Sequence, residues 1–283
     1  MVIGAIVSVQ AGGAFAATVF DRVGAAGMVF LRLSWAAVIL CVYSRPRLRG
    51  RTRHDWMVMA AFGALTGTLC LTGYAAVDRL PLGLVVTLQL LGPLGLAVAM
   101  SHRAREFLWA AVAVAGVILL GNSSGHIDMV GVALSLTGAA AWVGYILLGA
   151  STGRRFDGME GLALALAVAA VLVAPFGIAR GGTALLRPTV LLLGVVVALM
   201  TAVINFALEL AALRQMPPRT FGVLMSLSPA MAALAGFVIL GQRLSAPQLT
   251  GIALVIAASA ATVSGSRSGT EPATPARRPS RHP

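Results

Sequence analysis

Apolar residues gather in ten long, uninterrupted runs along this chain, near Val2–Phe20, Gly27–Ser44, Trp56–Gly73, Leu82–Ser101, Phe107–Gly121, Met129–Ala150, Gly158–Ala179, Thr189–Leu210, Thr220–Gly241 and Gln248–Ser264. A helix of about 17–25 residues crosses the hydrocarbon core of a bilayer. The runs are continuous rather than alternating. In lipid, backbone groups must bond within the segment that carries them, so helices are the reasonable form. The composition agrees: 58% hydrophobic and only 11% charged residues, against roughly 25% charged in soluble domains. The expectation is an all-α polytopic membrane protein with ten transmembrane helices and the lipid bilayer as its solvent.

Arginine placement sets the direction. All 21 basic residues are Arg, and positive charge favours cytoplasmic loops. With the N-terminus inside, the inner loops and the tail carry fifteen: Arg45, Arg47, Arg49, Arg51, Arg53, Arg103, Arg105, Arg154, Arg155, Arg214, Arg219, Arg267, Arg277, Arg278 and Arg281. The outer loops carry five: Arg22, Arg79, Arg180, Arg187 and Arg243. The bias predicts N-in and C-in and accounts for the net charge of +12 as a topology signal, with no nucleic-acid partner. The cluster RPRLRGRTR also suits anionic lipid. The first run has an Ala-rich end at Ala14–Ala17 but no positive start, so it reads as a retained span. Residues 266–283 are rich in Ser, Pro, Thr and Arg and read as a disordered basic tail. Cys41 and Cys70 lie in apolar runs and read as small buried hydrophobes.

Two segments carry one punctuation. Pro81 and Pro93 in VDRLPLGLVVTLQLLGPL have the spacing of Pro217 and Pro229 in LRQMPPRTFGVLMSLSPA. Other matches follow in the same order: GAIVSVQAGGAF over GVALSLTGAAAW, GMVFLRL over GMEGLAL, and AGVI over TGIA. The chain therefore reads as two five-helix units, residues 1–122 and 128–265. Five is odd, so the second enters the membrane inverted. Inverted repeats are a recurrent build for secondary transporters, with a site near mid-membrane and access from alternate sides. Pro81 and Pro217 stand at helix starts. Pro93 and Pro229 fall within spans and are expected to kink them.

At these residues the chain resembles the EamA-domain exporters of the drug/metabolite transporter superfamily, above all their threonine/homoserine exporter branch. SVQAGGAFA, GMVFLRLSWAAVIL, PLGLVVTLQLLGPL, AWVGYIL and LELAALRQMPPRTFGVLMSLSPAMAALAGFVILGQRL carry the resemblance. It covers the chain to about Ser264 and implies ten helices, an inner-membrane location and proton-driven efflux of small amino acids. Gln89, Ser228 and Gln242 depart from it, standing where that branch typically has Glu.

Within the runs, two ionisable groups stand out: Arg32 and Glu209. Such groups cost roughly 2.5–3.5 kcal/mol on insertion scales and mark function by default. Arg32 suits a substrate carboxylate; bonding to neighbouring carbonyls and snorkelling outward compete with that role. Glu209 suits proton coupling or an ammonium group; an ion pair with Arg214 or Arg219 competes. Gln10, Gln89, Asn205 and Ser228 can hydrogen-bond a zwitterion or join helices. Trp142 and Tyr145 can line a path or pack. Asp78 and Arg79 read as a local solvated pair. His126 and Asp128 make a weak metal case. Gly63 and Gly67 fit a helix-packing face. No phosphate loop, nucleophile elbow or metal motif is present, and two unpaired ionisable groups are poor material for acid–base catalysis. The reading is a transporter of small molecules, neither an enzyme nor cofactor-dependent; an exporter of another metabolite or drug-like compound, and a non-transporting scaffold or receptor, are the alternatives.

Overall fold

The computed structural model describes residues 1–47, 50–100, 104–122, 128–156, 159–215 and 223–265. Among these there are helices and no strands. They are α1 (Val2–Ala17), α2 (Phe20–Ser44), α3 (Arg53–Val77), α4 (Leu82–Ala99), α5 (Ala104–Asn122), α6 (Met129–Arg155) and α7 (Glu160–Gly181). A short 3-10 turn (Gly182–Leu186) leads to α8 (Pro188–Ala198), a π-helical segment (Leu199–Ile204) and α9 (Asn205–Gln215). Then come α10 (Ser228–Leu240) and α11 (Ala246–Gly265). By length and composition, six helical stretches suffice to cross a membrane: Phe20–Ser44, Arg53–Val77, Leu82–Ala99, Met129–Gly149, Glu160–Leu186 and Val223–Leu240. Four shorter apolar ones are Val2–Ala17, Phe107–Gly116, Pro188–Ile204 and Ala246–Thr262.

Helix ends depart from the apolar runs where local chemistry overrides hydropathy. α2 begins at Phe20 rather than Gly27, across a break at Gly24 with φ 70° and ψ 162°, a conformation closed to residues with a Cβ. α3 begins ahead of its apolar run because Thr52 and Asp55 form a reciprocal cap: Asp55 N–H donates to Thr52 Oγ1 (3.2 Å) and Thr52 N–H to Asp55 Oδ2 (3.0 Å). Pro93 stands inside α4, so the Gln89 carbonyl four residues earlier loses its intrahelical donor. Pro229 differs from expectation. It occupies the first turn of α10, where a missing N–H costs little; the backbone breaks just before it, at Ser226–Leu227. Pro217 and the tail from residue 266 lie outside the described residues.

The bundle is assembled by reciprocal pairings. α2 lies along α7, α5 along α11, and α4 against α10. α3 packs on α6 and α7, while the α8–α9 run packs on α1 and α2. α6 also meets α4, and α1 meets α10. Close approach relies on small residues, as the Gly63–Gly67 spacing suggests. A Cβ at Gly63 would stand 2.6 Å from the Val168 side chain and 2.9 Å from the Ala165 carbonyl oxygen, both on α7.

Ion pairs pin α3 to α6 at both ends. Arg155 donates to Asp55 at 3.0 Å at one end. Beside it Arg51 pairs with Glu160 (2.8 Å), donates to the Arg155 carbonyl (3.0 Å) and covers the Phe156 ring at 4.5 Å. At the other end Arg79 pairs with Asp128 at 2.8 Å, not with its neighbour Asp78. Asp128 also caps α6, accepting from the N–H groups of Val130 (2.8 Å) and Gly131 (3.2 Å). The Arg79 hydrogen bond, followed by these caps, holds its carboxyl below the usual carboxylate range. This pin is therefore complete at neutral pH and lost only as pH falls through that lowered value. His126 lies outside the described residues. Among the described residues no three His, Cys, Asp or Glu side chains gather as a metal cluster.

Gly63→Ala is expected to lower thermal stability in detergent, since overpacking costs about 1–3 kcal/mol. Gly13→Ala, whose added Cβ meets nothing within 4 Å, should be neutral or mildly stabilising. Unfolding scans of the purified variants check the contrast.

Candidate functional site

Arg32 on α2 does not snorkel. Its Nε donates to Thr201 Oγ1 at 2.7 Å and its Nη1 to Cys70 Sγ at 3.3 Å. The guanidinium carbon stands 5.5 Å from the centroid of the Tyr74 ring. Cys70 and Tyr74 are four residues apart on α3 and so share a face. Thr201 lies in the π-helical segment and donates its own hydroxyl to the Val197 carbonyl at 2.7 Å. One hydroxyl thus ties the cation to the backbone of the α8–α9 run. The guanidinium is met by a hydroxyl, a thiol and a ring. Among the described residues no carboxylate pairs with it.

The π segment has its own support. Wide π turns interrupt α-helices most often at functional positions. α1 packs on this one: Ser8 donates to the Met200 carbonyl at 2.7 Å, and a Cβ at Gly12 would meet Thr201 and Met200 side chains at 2.7 and 2.9 Å. Gln10, between them in sequence, is buried. Beyond the segment, Asn205 stands one helical turn before Glu209, on the same face. Thr201, Asn205 and Glu209 recur every fourth residue, which lines a polar strip down an otherwise apolar run. Tyr145 on α6 stacks on Phe62 of α3 with centroids 4.9 Å apart. Three elements therefore meet at Arg32: α2, α3 and the α8–α9 run. Arg219 and the Arg214 side chain, the competing partners for Glu209, lie outside the described residues.

Gln89 on α4 extends its amide between α3 and α6. Its Nε2 is buried, with no hydrogen-bond partner among the described residues. It occupies space left by two glycines: a Cβ would stand 2.9 Å from Nε2 at Gly73 and 2.6 Å at Gly138. The other polar candidates are elsewhere. Ser228 is buried and spends its hydroxyl on the Met225 carbonyl (2.7 Å) at the break before α10. Trp142 is half-buried on α6. Gln242 accepts the Leu82 N–H at 3.0 Å and caps the start of α4. Cys70, read from sequence as a small buried hydrophobe, is half-buried and accepts from Arg32. Thr201 and Tyr74 were not singled out; the four-residue recurrence leading to Asn205 and Glu209 was the available signal for Thr201.

Known proteins share this arrangement of sequence. The EamA-like transporter family matches residues 129–264. The threonine/homoserine exporter RhtA of Salmonella typhimurium is 34% identical over 258 residues, covering 90% of this chain and 87% of that protein. The threonine/homoserine exporter RhtA of Escherichia coli is 35% identical with the same coverage. The chain belongs to the EamA-like transporter family. This EamA-like protein is accordingly a multi-pass inner-membrane transporter, and no catalytic role is indicated for it.

Thr201→Val removes the hydroxyl acceptor of a half-buried cation, worth about 1.5–3 kcal/mol for a hydrogen bond to a charged group. The thermal midpoint of the purified EamA-like protein should fall, whereas Thr201→Ser, which keeps the hydroxyl, should stay near wild type.

Proposed function

We propose that this EamA-like transporter exports threonine, homoserine or similar small amino acids in exchange for protons. Arg32 receives the substrate carboxylate, and Glu209 carries the proton or meets the ammonium group. The observation that carries the reading is the state of Arg32: a guanidinium inside an apolar bundle without a carboxylate among the described residues. An uncompensated buried charge is costly, and a bound carboxylate would relieve it with charge-assisted bonds. Glu209 lies on the same polar strip as Thr201, the Arg32 partner. Gln89 offers an amide donor to a substrate oxygen; Asn205 orients Glu209; Trp142 and Tyr145 line the path; Gln10 approaches from α1. Ser228 belongs to this set as a hinge at Pro229 more than as a ligand, since its hydroxyl is taken.

The wider frame is ten membrane helices in two inverted units, 1–122 and 128–265, with a basic cytoplasmic tail and both termini inside. The pairings support it. Adding five to each helix position, with α8–α9 counted as one span, converts α3–α6 into the contact of α8–α9 with α1. It likewise converts α4–α6 into α1–α10, and α3–α7 into α2 with α8–α9, and it leaves α2–α7, α4–α10 and α5–α11 unchanged. Such exchange is what a two-fold relation between units produces. Gln89, Ser228 and Gln242, neutral where acids are typical of the resembling branch, favour a second reading: the same transport route serving another metabolite.

The test is labelled threonine uptake into inverted vesicles with an acidic interior. Wild type should accumulate threonine as the gradient dissipates. Glu209→Gln should lose the gradient-driven component and keep threonine exchange. Arg32→Gln should lose both, with affinity down about 10–150-fold. Threonine flux indifferent to gradient and to Glu209 would remove the coupling assignment. Absence of threonine flux in folded, inserted protein would remove the substrate.

A further inference from the structure

A groove lies away from Arg32, between α10 and α11. α10 packs on α1 and α4, whereas α11 packs on α5 and α4. The two splay and leave a cleft of about 630 Å³, within the roughly 300–1,000 Å³ typical of ligand sites. Its walls are apolar and its bulk small: Ala230 and Ala233 on α10, with Ile252, Ala253 and Ile256 on α11. Phe237, 58% exposed, stands at its edge. The polar character is confined to one end, where Gln242 and Arg243 line the mouth. Gln242 spends its Oε1 on the Leu82 N–H, so what it offers a ligand is its amide donor side. Arg243 is exposed, and among the described residues no acidic group pairs with it.

The mouth therefore presents donors and positive charge, and the cleft presents only hydrocarbon. An amphiphile with an anionic head matches both. Its length fits as well. From Ala230 to Leu240 the groove follows ten residues of helix, about 15 Å, which is half of the roughly 30 Å hydrocarbon core. One leaflet's acyl chain has this reach. We infer that the α10–α11 groove is a site for one anionic glycerophospholipid, with an acyl chain between the helices and the phosphodiester on Arg243 and Gln242. The leaflet is the one on the side of the α3–α4 turn, because Gln242 bonds the first residue of α4. A headgroup carrying its own ammonium is disfavoured there by the unpaired Arg243.

Native mass spectrometry of the full-length protein in detergent, titrated with phosphatidylglycerol or phosphatidylcholine, tests this. Wild type should retain one phosphatidylglycerol in preference to phosphatidylcholine. Arg243→Gln, at an exposed position, should weaken phosphatidylglycerol retention roughly fivefold, the effect of one arginine near an anionic lipid surface, and erase the preference. Ala253→Trp, which fills the cleft from its exposed side, should reduce retention of both lipids. Retention unchanged in Arg243→Gln would overturn the headgroup assignment. Retention unchanged in Ala253→Trp, with the thermal midpoint kept, would place the lipid elsewhere. A second copy of the chain in place of lipid, lost in Ala253→Trp, would make the groove a protein interface and overturn the proposal.

Discussion

A guanidinium placed among apolar helices must be met by acceptors, because water is not there to meet it. Around Arg32 the neighbouring elements are shaped by that demand. The π segment sets Thr201 so that one hydroxyl both accepts from Arg32 and donates to the helix behind it. Cys70 and Tyr74 supply a soft acceptor and a π face from α3. Gly12 lets α1 close over the same segment, and Ser8 fastens to its Met200 carbonyl. Among the described residues these contacts hold the cation in place without a carboxylate. Under the proposed function, holding fixes its geometry and leaves its charge for a substrate anion.

The architecture was legible because hydropathy is summed over twenty residues and tolerates local error. Helix type, membrane embedding and the charged residues Arg32 and Glu209 came from that sum, since a charge in an apolar run is conspicuous wherever the helix ends. Boundaries were less legible. Gly24 and the Thr52–Asp55 cap act over one to three residues, and each moved a helix start against the hydropathy trend. The neighbours of Arg32 were not legible at all. Thr201, Cys70 and Tyr74 are unremarkable residues whose role exists only through a fold that brings positions 32, 70 and 201 together. Ser228 shows the converse: conspicuous beside a proline, yet occupied by a carbonyl that the same proline's helix break exposed. Arg79 likewise had an adjacent acid in sequence and a better one, Asp128, across the bundle.

Within the duplicated reading, scaffold and charge obey different rules. Packing partners exchange in pairs, as two related units require. Charge does not: Ala163 stands opposite Arg32 in the sequence repeat and Gly73 opposite Glu209. A bundle can therefore keep the geometry of alternation symmetric while concentrating its chemistry in one orientation. Gly73 serves a need for space within its own unit, since the Gln89 amide occupies the volume its side chain would have filled.

The two ion-pair pins on α3 and α6 bear on how such a bundle moves. Each pair is exposed, and exposed pairs contribute only about 0.2–1 kcal/mol, so together they add little to stability. Their position matters more than their strength. They sit at opposite ends of two helices 25 and 27 residues long, and a slide by one helical turn, about 5.4 Å, would break both together. The α3–α6 seam is thus indexed like a ruler with a stop at each end. Under the proposed alternation, sliding along this seam would cost both pairs at once, and carrying α3 and α6 together as one beam would cost neither.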